Sequence, residues 1–238
     1  MNSSLAAQAE WARRIEAEYR SSALTHNLVL WLIQLGAPRE LLDEGLAIVR
    51  DELDHAELCV RVYAEAGGTQ ARRISQGRLG LTRSGDLVSD VARECVRTFC
   101  LGETVAVPLF RELRAECTVP CAKEALDRVL RDEVRHRQYG WDLLDWLLDA
   151  HPGVRPLVER ELPALLASIR CAYAAPATVE SEVDRTWGLM PAAWYARILD
   201  ETAQREFRPR FARVGLEIGF WVDGNTPRPP VCRDQGSR

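Results

Sequence analysis

The chain has 238 residues, a formal net charge of −4, 47% hydrophobic and 28% charged residues. That composition excludes a disordered, collagen-like or rod-like chain. The mild acidity lacks the basic footprint of a binder of nucleic acid or anionic membrane.

Apolar residues recur at three- and four-residue spacing along most of the chain, and alternating runs long enough for strands are missing, which predicts an all-α fold. A first helix spans about residues 5–35 and stops at Gly36-Ala37-Pro38; Pro38 suits the first turn of a second, over about 39–66, ended by Gly67-Gly68. Residues 69–83 read as a crossover loop. Helices follow over about 85–116 and 119–150, the latter stopped by His151-Pro152-Gly153. A fifth covers about 154–174, with Pro163 inside it; 175–190 reads as irregular, and a sixth helix runs over about 191–220. The Pro- and Arg-rich tail from Asp223 reads as mobile. Short turns make helices one and two, and three and four, antiparallel neighbours, joined by one long crossover. The expected organisation is a four-helix bundle over 5–150, a helical extension packed on it over 151–222, and a flexible tail over 223–238.

Met1–Glu10 lacks a basic head followed by an apolar run, Arg13-Arg14 leads into a polar sequence, and Leu28–Ile33 is too short to span a bilayer. The expectation is a cytoplasmic protein with no membrane or nucleic-acid partner. Seven cysteines (59, 95, 100, 117, 121, 171 and 232) form no Cys-x-x-Cys pair, which argues against a thioredoxin-like, rubredoxin-type or zinc-ribbon motif and predicts free thiols.

The inward stripe of each long helix is apolar or small except at its middle. Helix one reads Trp11, Ile15, Glu18, Ser22, Thr25, Val29, Leu32; helix two reads Leu41, Gly45, Ile48, Glu52, His55, Cys59, Val62. Helix three reads Ala92, Val96, Phe99, Glu103, Val107, Phe110; helix four reads Ala122, Leu126, Val129, Glu133, His136, Gly140, Leu144. Each helix therefore offers one glutamate, and two add a histidine three residues later. With 21 glutamates and four histidines in the chain, chance supplies about 0.4 Glu-x-x-His pairs; two occur, and aspartate precedes both (Asp51-Glu52 and Asp132-Glu133). Buried carboxylates cost several kcal/mol each unless paired or bound to a cation. Lys123, the only lysine, lies away from them along its helix, and the stripes contain no arginine, so two divalent ions are the simplest neutraliser. Oxygen-rich sites with two imidazoles suit iron or manganese, and zinc also fits. Glu16 competes with Glu18 but sits on a wetter face; Tyr19, Tyr63 and Tyr139 lie near these positions and read as packing. His26 and His151 read as surface or cap residues. Pro108 denies the Thr104 carbonyl its helical hydrogen bond, which predicts a local distortion just past Glu103.

With one Glu on two helices and Glu-x-x-His on the other two, the chain resembles the ferritin-like di-iron carboxylate superfamily over about residues 5–150. The resemblance implies a ferritin-like four-helix bundle with two additional C-terminal helices. It implies six metal ligands, Glu18, Glu52, His55, Glu103, Glu133 and His136, around two iron ions, with Glu52 and Glu133 bridging; a mixed Mn/Fe pair suits the same set. Asp-Glu-x-Arg-His at 132–136 is similar to bacterial di-iron oxygenases and ribonucleotide reductase small subunits. By that likeness Asp51 holds His136 and Asp132 holds His55. The run around Glu18, the Leu-Gly-Ala-Pro turn and Asp-Glu-x-x-His-Ala are similar to bacterial ferritin-like proteins mostly without an assigned reaction. The implied activity is a di-iron oxidoreductase, an oxidase or oxygenase using O2 or H2O2 on a small organic substrate, with an external electron donor where turnover needs one, as a monomer or homodimer. The alternative is an iron-handling ferroxidase or peroxide scavenger. Against a cage-forming storage protein stands the extension beyond 150, which the wall of a substrate pocket would explain.

Overall fold

The computed structural model describes residues 3–69, 74, 76–174 and 181–217; of 78, 173 and 174 it describes the backbone only. Among the described residues there are seven helices of at least five residues and no strand: α1 (Leu5–Leu35), α2 (Arg39–Glu65), α3 (Leu87–Glu94, continuing through a π-helical stretch Cys95–Glu103 into Thr104–Ala115), α4 (Pro120–Ala150), α5 (Val154–Ala174), α6 (Glu182–Thr186) and α7 (Ala192–Thr202, a π-helical stretch Ala203–Phe207, then Arg208–Arg213).

Local chemistry accounts for the ends. The Ser4 side chain accepts the Ala7 N–H at the start of α1, and Gly36, at φ 70°, closes it in the left-handed conformation that glycine adopts at least cost. Pro38 then opens α2 where its missing N–H costs nothing. Ser3 Oγ donates to the Ala66 carbonyl at 2.6 Å and Ser22 Oγ to Val49 at 3.1 Å, a pairing that only antiparallel helices allow. Trp141 Nε1 donates to Thr104 Oγ1 at 3.1 Å between α3 and α4. The four long helices pack in a ring, α1 on α2, α2 on α4, α4 on α3 and α3 on α1.

α5 and α7 pack on α3, so α3 is covered on its outer side as well as its inner one. Leu101 and Val105 are buried as fully as the inward Val96 and Phe99, and the Cys95 and Cys100 thiols donate to the Gly140 carbonyl of α4 at 3.4 and 3.3 Å. The segment around α6 closes the end of the ring: Trp11 Nε1 donates to the Trp187 carbonyl at 3.0 Å, and the Thr118 and Val119 N–H groups both donate to Thr186 at 3.0 Å.

The sequence expectations differ from the structure in four places. The distortion predicted at Pro108 lies upstream, as the π-helical stretch ending on Glu103. The stretch 181–190 contains α6, stabilised by a Ser181–Asp184 capping box, and the last helix stops at Arg213, before Gly215 at φ 72°. Cys59, Cys95, Cys100, Cys117 and Cys121 are free thiols, but Cys171 is disulfide-bonded, because the absence of close Cys pairs says nothing about pairs distant in sequence. Residues 70–73 and 75 of the crossover, 175–180 and the tail from 218 lie outside the described residues.

The π-helical stretch is seated by close approach of α3 and α4. A Cβ on Gly140 would stand 2.8 Å from the Phe99 carbonyl carbon and 3.0 Å from the Cys100 nitrogen, backbone atoms that cannot rotate away. Gly140→Ala is expected to destabilise the protein by about 1–3 kcal/mol, the usual cost of overpacking. Urea unfolding measures it, and an unchanged midpoint would contradict this packing.

Candidate metal centre

Because α2 and α4 run side by side in opposite directions, their two Glu-x-x-His turns meet. His55 Nε2 lies 3.1 Å from Asp132 Oδ2, and His136 Nε2 lies 3.1 Å from Asp51 Oδ2. These are the crossed pairs that the resemblance implied. With Nε2–H donated to an aspartate, the tautomer assigned from the network leaves Nδ1 facing inward. His55 Nδ1 stands 3.7 Å from Glu52 Oε2 and 3.9 Å from Glu18 Oε2; His136 Nδ1 stands 3.3 Å from Glu52 Oε1 and 3.7 Å from Glu133 Oε2. Glu52 thus turns one oxygen to each imidazole.

Two groups of potential ligands result, Glu18–Glu52–His55 and Glu52–Glu133–His136, each with donor atoms within 4.8 Å of one another. Glu52 belongs to both. Glu103, at the end of the π-helical stretch, belongs to neither group but lies close enough to Glu133 for the two carboxyls to interact. All six residues are buried, the two histidines completely. Of the rival glutamates on α1, Glu18 faces the cluster and Glu16 is only half-buried. Tyr139 is buried one turn beyond His136, with its hydroxyl unpartnered; Tyr19 and His26 are exposed.

Buried clusters of this composition can hold a metal ion, and the loose ends of this one fit that use. His55 Nδ1, His136 Nδ1, Glu52 Oε2 and Glu133 Oε2 are buried and have no hydrogen-bond partner. An orphaned buried polar atom costs about 1–3 kcal/mol. The four fall into the two ligand groups, His55 Nδ1 with Glu52 Oε2 and His136 Nδ1 with Glu133 Oε2, each pair 3.7 Å apart, as donors left for a cation would.

The electrostatics agree. Burial, then the neighbouring Glu52 carboxylate, pushes Glu18 well above the usual carboxylate range; burial and Glu133 do the same to Glu103. Burial opposes the charge of Glu52, yet the His136 and His55 rings facing it outweigh burial and hold it far below that range. Burial likewise opposes charging of the imidazoles, but Glu52 and Asp132 around His55, and Asp51, Glu133 and Glu52 around His136, raise both. Without metal, Glu18, Glu103 and the two histidines therefore hold their protons to higher pH than ordinary carboxyls and imidazoles do. A cation must displace them, so affinity rises with pH. In the metal-free fold, groups with raised pKa values bind more protons than the unfolded chain does. Their stabilisation is complete below the unfolded values, about 4.3 for Glu and 6.5 for His, and is lost as pH rises through the folded ones. Thermal melts at pH 6 and pH 8 should show the metal-free midpoint falling with pH and the zinc-induced increment growing. A metal-free midpoint that rises over this interval would contradict the assignment.

An outer layer of ion pairs fixes the two aspartates. Asp51 pairs with Arg135 and, at 3.4 Å, with Arg128; Arg128 also pairs with Asp132 and with Asp54 at 3.3 Å. Burial opposes the charge of both aspartates, but His136 and Arg135 beside Asp51, and Arg128 and His55 beside Asp132, hold them below the usual range. Replacing Asp51 by Asn keeps the shape and loses the charge that orients His136. A 10–100-fold loss of metal affinity, about the normal cost of removing such a partner, is expected by competition titration; equal affinity would show that the ring is held by packing alone.

Sequence reasoning left two features open, the place of the pocket that the extension was expected to wall and a buried arginine. One is a cavity of about 310 Å³ on the carboxylate side, reached by Glu18, Glu52, Glu103 and Glu133 and walled by Ala106, Leu109, Phe110 and Leu113 of α3 and by Tyr195 of α7. The other is Arg14, one turn before Glu18: although no arginine stands in the inward stripes, it is 4% exposed and lines this cavity. Its burial depends on the segment after α6, 174 residues away, whose Gly188 carbonyl accepts from Arg14 Nη2 at 2.8 Å, a contact no local pattern reveals. Among the described residues no helix is long and apolar enough to cross a membrane. No family model, curated protein or solved structure matches the chain.

Proposed function

We propose that this chain is a ferritin-like di-iron oxidoreductase, an oxidase or oxygenase that uses O2 or H2O2 on a small organic substrate, with Mn/Fe as an alternative metal pair. The observation that carries the proposal is the junction of the six-residue cluster with the cavity: the four carboxylates face the open space and the two histidines lie behind them. Glu18, Glu52, His55, Glu103, Glu133 and His136 would hold the two ions. Bound there, a ferrous pair would supply the electrons that reduce O2 and, once oxidised, the oxidising power spent on the substrate.

The chain's own residues do the rest. Glu52, with an oxygen toward each histidine and a place in both ligand groups, would be the residue the two ions share. Asp51 and Asp132 keep each ring oriented with Nδ1 inward. The apolar walls from α3 would offer a surface to a carbon skeleton. Tyr195 shows that the C-terminal extension contributes to that wall, a part an iron-only reaction does not require.

The test is anaerobic titration with Fe2+, followed by exposure to O2 and light scattering. Two irons per chain, an optical change on oxidation and a monomer or dimer support the reading. A 12-mer or 24-mer that mineralises iron favours the ferroxidase alternative. A folded protein that takes up no stoichiometric metal overturns both.

A further inference from the structure

A second cavity, of about 190 Å³, lies between α3, α4 and α7 and shares no lining residue with the one the carboxylate cluster reaches. Arg111 of α3, Arg137 of α4, and Arg197 and Arg205 of α7 line it. Three carboxylates, Glu112, Glu201 and Glu206, face these four guanidinium groups. The wall therefore holds one more positive charge than negative, in a chain whose net charge is −4.

The carboxylates are also shared. Glu201 pairs with Arg197 at 3.2 Å and with Arg205 at 3.7 Å. Glu206 stands 3.6 Å from Arg137, but it accepts its hydrogen bond from Nε of Arg210, which does not line the cavity, at 3.0 Å. Glu112 stands 3.9 Å from Arg197. Among the described residues Arg111 has no carboxylate within 4 Å, and Arg111, Arg137 and Arg205 make no hydrogen bond. Arg137 thus feels two like charges, Arg210 and Arg111, against one carboxylate. These donors are open to a ligand: Arg111 is exposed, and 78% of the Arg205 side chain and 19% of the Arg137 side chain stay accessible. Arg197 is steadied at the rim by the Trp194 ring, 5.4 Å from its centre.

We propose that this cavity is a phosphate-binding site, in which Arg111, Arg137 and Arg205 share the oxygens of one phosphate group. Guanidinium groups gathered from three helices repel one another until an anion joins them. Donors arriving from three sides suit the several oxygens of a tetrahedral anion better than the two of a planar carboxylate. A phosphate group carries about −1.5 to −2 charge at pH 7, enough to offset the excess. The volume lies below the roughly 300 Å³ at which pockets for whole organic ligands begin, so the cavity takes the phosphate and leaves any attached group outside. The ligand is therefore free phosphate or the phosphate of a small monoester. Held there, it ties the C-terminal extension to the bundle through α3, α4 and α7. The inference stands apart from the metal reading.

The test is calorimetric titration of the full chain with inorganic phosphate, phenyl phosphate and acetate at one ionic strength, after chelation and dialysis so that no metal competes for phosphate. Phosphate is expected to bind about tenfold or more tightly than acetate. Arg111→Gln on α3 and Arg205→Gln on α7 are each expected to weaken phosphate binding about tenfold, the cost of one charged donor. Neither arginine makes a hydrogen bond within the fold, so both variants should keep the wild-type melting midpoint, which checks that they fold. Phenyl phosphate that binds no more tightly than inorganic phosphate supports the site with the free ion as its ligand; tighter binding of phenyl phosphate supports it with a monoester. A wild type that binds no phosphate, or binds acetate as tightly, overturns the proposal. So does either arginine variant that folds and binds phosphate as tightly as the wild type.

Discussion

Glu52→Ala is expected to empty both metal positions, whereas Glu18→Ala is expected to weaken one. The difference follows from the sharing of Glu52 between the two ligand groups, while Glu18 belongs to one. Removing Glu52 also leaves His55 and His136 without the carboxylate oxygens that face their Nδ1 atoms at 3.7 and 3.3 Å. The loss of affinity should exceed the roughly 100-fold upper cost of losing an outer partner such as Asp51. Elemental analysis after dialysis against a trace of zinc reads it directly: about two ions per chain in the wild type, about one in Glu18→Ala, none in Glu52→Ala. Retention of one ion by Glu52→Ala would mean that the two groups bind independently and that Glu52 does not bridge.

Metal loading is expected to raise the stability of this fold by several kcal/mol. Each ion at a free concentration about 100 times its dissociation constant adds about 2.7 kcal/mol, so two add roughly 5 kcal/mol. For a chain of this size 1 kcal/mol moves the midpoint by about 2–4 °C, and zinc loading should raise it by roughly 10–20 °C, reversed by a chelator. The physical reason is the set of four orphaned donor atoms, whose desolvation is uncompensated until a cation arrives. A shift in wild type that persists in Glu52→Ala would trace the effect to another site.

How much of this was legible beforehand depended on range. The positions of Glu52, His55, Glu133 and His136 follow from helical periodicity, a local property, and their meeting follows from tight turns after α1 and α3. The glutamate on α1 was legible as well, since Glu18 lies in a stripe of Trp11, Ser22, Thr25 and Val29, whereas Glu16 does not. The crossed Asp51–His136 and Asp132–His55 pairs came from resemblance, and the distances agree with them. Pro108 signalled an irregularity near Glu103 but not its form. The π-helical stretch is seated by the closeness of Phe99 to Gly140 on another helix, which no spacing within α3 encodes.

Arg14, Tyr195 and Cys171 mark the other side of that line. From sequence alone, Arg14 is a polar residue outside the apolar stripe of an amphipathic helix, which reads as solvent-facing. Its burial is decided by a segment far along the chain that covers it, and Tyr195 of α7 reaches the cavity from still farther along. The sequence by itself determined the helices, their order and the metal-binding residue types at matching depth, because 3.6-residue periodicity and turn chemistry act within a few residues. The tertiary structure alone decided which charge is desolvated, which donor atoms are left unpaired and where the open space lies, because those depend on the packing of elements distant in the chain.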